Sequence, residues 1–137
     1  MSLVRSADFL AVEQLAIDNM TKAPKPKPDP GQAGGFLLNG SAAKAGLNKS
    51  ILDAGWGVFL RVLAYKAESA GRELIAVNPR NTSRTCPAPE CGHVSRESRR
   101  TQADFLCVKC GYTANADVVG ASNIKRAGLV LRDARAA

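Results

Sequence analysis

Four cysteines carry the most legible chemistry in this chain. Cys86 and Cys91 form a C-x4-C pair, and Cys107 and Cys110 form a C-x2-C pair. Fifteen residues separate the pairs, and a glycine follows the second cysteine of each, Gly92 and Gly111. Glycine lets a tight turn adopt the backbone geometry that aims amide groups at sulfur. Four thiolates so arranged complete the tetrahedral shell of a structural Zn²⁺ and leave no open position for catalysis. The spacing therefore predicts a zinc ribbon, a module that the metal builds. Iron in a rubredoxin-like site would use the same ligands and geometry. Two disulfides would require an oxidising compartment, whereas residues 1–10 have no apolar core of signal-peptide length and contain Arg5 and Asp8. A redox C-x-x-C would leave the first pair unexplained. His93, close behind Cys91, is a fifth candidate ligand, but four sulfurs satisfy the ion, so it reads as a surface histidine.

Two carboxylates stand where a charge is not casual. Glu13 follows the apolar run Phe9-Leu10-Ala11-Val12, and Asp117 falls in the first turn of a helical stretch. Each has a plainer reading. Glu13 could mark where a strand meets solvent, and Asp117 could cap a helix or stabilise its dipole, worth about 0.3–1 kcal/mol. The remaining chemistry is positive. The net charge is +7 with a pI near 9.6, which favours a polyanionic partner, nucleic acid before membrane, over a merely soluble basic protein. Arg80, Arg84, Arg96, Arg99, Arg100 and Lys109 lie in or beside the cysteine region and are the candidate nucleic-acid contacts. No apolar stretch reaches transmembrane length. Paired reduced cysteines without an export signal point to the cytoplasm.

Several elements must position these groups. Residues 9–15 read as a short buried strand with Glu13 near its end. Alternating proline and lysine over 22–30 cannot form helix or sheet ladders, so an extended basic loop runs to Gly40. From about Asn48 to Ala70 the spacing of Leu52, Trp56, Phe59, Leu63, Ala67 and Ala70 predicts one long helix, capped by Asn48 or Ser50 and stopped by Gly71. Gly55 and Gly57 inside it suggest close packing of another backbone, and Trp56 and Tyr65 read as core or rim residues. Glu73–Val77 is a second strand, ended by Asn78-Pro79. The ribbon fills 80–113, a helix spans Asn115 to about Arg126, and the Arg/Ala-rich remainder frays. The expected fold class is α/β. Its organisation is a strand, loop, long helix and strand over 1–79, a ribbon insertion over 80–113, and a C-terminal helix and tail over 114–137.

A strand carrying one acid and a helix carrying another, with a zinc module between them, are parts of an RNase H-like nuclease. At this point the sequence resembles the C-terminal part of the TnpB/OrfB family of insertion-sequence proteins, relatives of the type V CRISPR nucleases. The matching segments are V-E-Q-L at 12–15, W-G-V-F at 56–59, Y-K-A-E-S-A-G-R at 65–72, V-N-P-R-N-T-S-R-T-C at 77–86, F-L-C-V-K-C-G at 105–111 and A-D-V-V-G-A-S-N-I at 116–124. They span nearly the whole chain in the family's order.

The resemblance implies a partial RuvC-type fold with an inserted four-cysteine zinc ribbon. It further implies a Mg²⁺-dependent DNA endonuclease guided by RNA, with guide RNA and target DNA as partners. By motif, Glu13 matches the middle of three Mg²⁺-binding acids and Asp117 the last. The first belongs to an early strand, and twelve residues before Glu13 are too few for it, with Asp8 in the wrong place to substitute. The expectation is therefore a fragment, a truncated product or an excised piece, inactive alone. Two positions depart from the family: Gln14 where an acid is usual, and Val119 where asparagine is usual. Two Mg²⁺ ions about 4 Å apart need carboxylates converging from several elements, which two acids do not supply. The competing expectations are a non-catalytic zinc-ribbon module that binds nucleic acid, and a transcription-type zinc ribbon. The last predicts that Glu13 and Asp117 lie far apart.

Overall fold

The computed structural model describes residues 2–137. The elements run α1 (Ser2–Arg5), β1 (Phe9–Glu13), α2 (Ile17–Met20), β2 (Lys27–Pro28), β3 (Phe36–Leu37), α3 (Ser41–Asp53), α4 (Trp56–Ser69), β4 (Glu73–Val77), β5 (Asp104–Leu106), β6 (Thr113–Asn115) and α5 (Ala116–Ala136). They divide into two compact units, Met1–Leu15 with Lys66–Ala137, and Ala16–Tyr65. Among the described residues no helix is long and apolar enough to cross a membrane.

In the first unit, the β-branched and apolar strands β1 and β4 pair in parallel, Phe9 opposite Glu73 through Glu13 opposite Val77. The Gln14 amide extends the ladder by donating to the Val77 carbonyl at 2.8 Å, which fixes Glu13 at the strand's last position. α5 lies against both strands. Ile75, Val77 and Ile124 are buried together, with Phe9, Ala11 and Ala127 packed around them. β4 is entered through a tight helix stop. Gly71 has φ +64°, and the Arg72 amide reaches back to the Ala67 carbonyl at 2.8 Å, the bond of a Schellman turn. Arg72 also pairs with Asp8.

α5 runs ten residues further than its sequence pattern suggests, so the expectation of a frayed tail after Arg126 is corrected. The cause is tertiary. Gly128 is buried against β1, and the Arg132 guanidinium stacks 5.3 Å from the centre of the Phe9 ring. A Cβ at position 128 would lie 2.8 Å from Ala11 Cβ and 2.9 Å from Phe9 Cζ. Gly128→Val is therefore expected to destabilise the protein by about 1–3 kcal/mol through overpacking. Gly120→Ala, where an added Cβ meets nothing within 4 Å, should stabilise by about 1 kcal/mol through helix propensity. Denaturant midpoints of the two variants check the opposite signs.

In the second unit the single long helix expected from Asn48 is two helices. α3 begins at Ser41, and Gly55 interrupts the chain with φ +65°. A left-handed residue cannot continue a helix, and an added Cβ would meet nothing within 4 Å, so Gly55 serves conformation and not close packing. A Cβ added at Gly57 would meet Ile17 Cδ1 at 3.4 Å and no backbone, so no second backbone packs closely there. Gly40 precedes α3 without a side-chain cap; Asn48 instead donates to the Thr21 carbonyl and Ser50 to that of Gly46. The proline–lysine loop contains a short ladder after all, Lys27 opposite Leu37 and Pro28 opposite Phe36. Proline tolerates a two-strand ladder because its missing N–H can face outward. Trp56 and Tyr65 are not core residues: 49% and 69% of their surface is exposed.

Candidate metal centre and acid pocket

The ribbon's two knuckles converge their cysteines. Gly92 and Gly111 take φ +57° and +75°, the left-handed turns that the Cys-Gly pattern predicts. The Cys86 amide donates to the His93 carbonyl at 2.8 Å, and the Cys107 amide to that of Tyr112 at 2.8 Å, closing each turn. Cys86 and Cys110 sulfurs lie 3.6 Å apart, Cys91 and Cys107 sulfurs 3.7 Å, and all four fall within 4.8 Å of one another. A tetrahedron of Zn–S bonds near 2.3 Å has edges of about 3.8 Å. The cysteines are free, and a disulfide would hold its sulfurs at about 2.05 Å. The four sulfurs thus fit one tetrahedral ion, consistent with zinc, and His93 contributes its carbonyl to the turn.

Burial pushes the Cys86 thiol up, to about 12. Burial raises Cys107 as well, but the amides of Cys110 and Lys109 point at its sulfur and bring it down to about 6. The knuckle therefore already favours thiolate at one ligand. A divalent cation supplies the charge that the others need.

Metal centre and helix share a core. Cys86, Phe105, Cys107, Ala116 and Val119 are buried as one cluster. The hairpin β5–β6 sets Asp104 opposite Asn115 and Leu106 opposite Thr113, so the second knuckle leads directly into α5. Asn115 caps α5, its side-chain oxygen accepting from the Asp117 amide at 2.9 Å and the Val118 amide at 3.4 Å. Val119, where asparagine is usual in TnpB/OrfB proteins, is 1% exposed inside this core, which accounts for an apolar residue there. Asn123 adds a clamp that the sequence reading did not assign, although it lies in the A-D-V-V-G-A-S-N-I segment. Its buried amide donates to the Thr82 and Thr85 carbonyls at 2.8 and 2.7 Å, tying α5 to the turn before Cys86.

Glu13, at the end of β1, and Asp117, in the first turn of α5, line one cavity of about 260 Å³. Ser83 and Arg99 complete its polar wall, over Gly120 and Ile124. A shared cavity is not the arrangement expected of a transcription-type zinc ribbon, which gives these acids no reason to approach. Asp117 is not the helix cap, a role that Asn115 fills. Arg99 comes from the ribbon, its Nη2 donating to the Gln102 carbonyl at 3.0 Å and standing 4.0 Å from Asp117 Oδ1. Arg80, Arg96, Arg100 and Lys109 are exposed, and Arg84 is half-buried.

Comparison with known proteins gives the chain a family. The family model of the Cas12f1-like TNB domain matches residues 56–124, half of the chain. The chain is 45% identical over 122 residues to the "Putative RNA-guided DNA endonuclease InsQ" of Escherichia coli (strain K12), covering 88% of this chain and 28% of that protein. It is 47% identical over 62 residues to the CRISPR-associated endodeoxyribonuclease Cas12f1 of Sulfoacidibacillus thermotolerans, covering 45% of this chain and 14% of that one. A solved Cas12f1–sgRNA–target DNA complex shares 38% identity at a TM-score of 0.36, covering 44% of this chain and 17% of the solved one. The chain thus spans about a quarter or less of the length of these relatives. With the four-cysteine knuckles and the A-D-V-V-G-A-S-N-I helix both inside the matched residues, the chain belongs to the family of the Cas12f1-like TNB domain, on the TnpB/OrfB side of which its sequence resemblance falls.

Proposed function

We propose that this chain is the RuvC-like, zinc-ribbon portion of a transposon-associated, RNA-guided DNA endonuclease, in which β1, β4 and α5 form part of an RNase H-like fold. One observation carries the reading: Glu13 and Asp117, far apart in sequence, line the same cavity. The names of InsQ and Cas12f1 supply the activity, and guide RNA and target DNA are the partners that follow from them.

Two carboxylates offer the hard oxygen donors that Mg²⁺ prefers, with waters completing its shell. When bound, such ions activate the attacking water and stabilise the leaving oxygen of a phosphodiester. Glu13 presents its carboxylate from a strand end fixed by the Val77 pairing, and Asp117 from a helix turn fixed by Asn115. The zinc ribbon is structural. Its exposed Arg80, Arg96, Arg100 and Lys109 provide positive surface for phosphates. With only two carboxylates in the cavity wall, the chain alone binds nucleic acid weakly and leaves it uncut. That count also favours a second reading, a zinc-ribbon module that binds without cutting.

The test grafts this chain in place of the matching segment of InsQ and follows guide-directed cleavage of a plasmid. Glu13→Ala and Asp117→Ala should each lower cleavage more than about a hundredfold, as expected when a ligand of the metal site is lost. Cleavage that survives both substitutions rejects the acid site. An active graft that both substitutions silence rejects the non-cutting module. The isolated chain should bind single-stranded DNA with affinity falling steeply as salt rises.

A further inference from the structure

Arg99 supplies the positive charge in the wall of the acid cavity, and it comes from the ribbon while both acids come from the strand and helix. It is not a free surface arginine. Its side chain is 27% exposed, its Nη2 is held by the Gln102 carbonyl at 3.0 Å, and its backbone bridges to Phe105 in the ribbon core. The same Nη2 stands 4.0 Å from Asp117 Oδ1, whose side chain is 85% exposed and open to a cation. A guanidinium anchored there stands beside the carboxylate that a divalent ion would use. Ligand and anchor are therefore rivals for Asp117.

We infer that Arg99 sets the divalent-cation affinity of the acid cavity by competing for Asp117, which makes it a positioning residue of that site; this rests on the reading of Glu13 and Asp117 as a cation site. The ribbon thereby restrains Asp117 when no cation is bound. Its neutralising charge must be displaced from Asp117, or tolerated beside the ion, whenever the cavity loads. An ion pair of this exposure is weak, so the restraint tunes affinity and does not abolish it.

The experiment is a Mn²⁺ titration of the zinc-loaded chain, followed by water-proton relaxation at low ionic strength. Arg99→Gln should tighten Mn²⁺ binding about two- to fivefold, the factor that an exposed ion pair is worth. Arg99→Lys, which keeps the charge, should stay near the parent. The gain from Arg99→Gln should shrink in high salt, where the charge is screened. Arg99→Met is the second neutral variant, used if Arg99→Gln loses its zinc, because it keeps the aliphatic stem in the ribbon wall. Glu13→Gln and Asp117→Asn should each weaken Mn²⁺ binding. If those two weaken it while the neutral Arg99 variants leave it unchanged or lower, the competition is refuted and the cation site stands. If neither acid variant changes it, the cation site itself falls, and the competition with it.

Discussion

Stripping the metal from the four cysteines is expected to unfold the ribbon and loosen the start of α5 while β1 and β4 stay paired. Zinc-finger sites bind Zn²⁺ with about 10–16 kcal/mol at neutral pH, comparable to the whole stability of a typical domain. The ribbon has little else to hold it. Its strands β5 and β6 are three residues each, and its buried cluster consists of Cys86, Cys107, Phe105, Ala116 and Val119. Two of those five are metal ligands, and two belong to α5. Without the ion, like-charged or protonated sulfurs remain 3.6–3.7 Å apart with nothing to join them. Hydrogen exchange after chelation should show the amides of Cys86, Leu106, Cys107 and Ala116 losing protection, since their acceptors lie within the ribbon. Ile75 and Val77 amides, on the strand that pairs with β1, should keep theirs. Elemental analysis of the reduced protein should return one zinc per chain. Neither zinc nor iron, or exchange that ignores the chelator, would remove the metal from the account.

Phe105→Ala carries the next largest effect, a loss of about 3–5 kcal/mol in the metal-loaded protein. Phe105 is the largest fully buried side chain, 2% exposed, and sits at the centre of the cluster that joins both knuckles to α5. Its ring meets Tyr112 edge to face, with centroids 6.5 Å apart. Truncation opens a cavity that short strands and fixed cysteines cannot close. Because Ala116 adjoins Asp117, the damage should reach the acid cavity, and Mn²⁺ binding there should weaken together with the denaturant midpoint. A midpoint shift below about 1 kcal/mol would mean that the metal alone holds this core. Phe105→Leu, which keeps most of the apolar volume, should recover most of the stability.

Local signals were enough for part of this molecule. The Cys-Gly pattern specified both knuckles, because ligand type, spacing and the left-handed turn are all written in adjacent residues. The strand Glu73–Val77 was legible for the same reason, as a short apolar run with a clear end, whereas the buried strand expected over 9–15 stops at Glu13 and is half-buried. The long helix was misread at Gly55, where a helical spacing of apolar residues continues across a residue whose φ breaks the helix. Side-chain periodicity does not register a backbone sign. The length of α5 was also hidden. Residues 127–136 look like an ordinary Arg/Ala tail until Gly128 meets Phe9 and Ala11 and Arg132 stacks on Phe9, contacts with the far end of the sequence.

The acids divide along the same line. Motif resemblance singled out Glu13 and Asp117, but their sharing of one cavity depends on α5 lying across β1 and β4, which no local pattern encodes. The same docking brings Arg99 to Asp117 and lets Asn123 clamp the turn before Cys86. Residue type and neighbours along the chain suffice to say which groups could bind a metal and which short segments carry them. Which charges face each other follows from the packing of a helix on a parallel strand pair, which brings together residues that chain connectivity keeps apart.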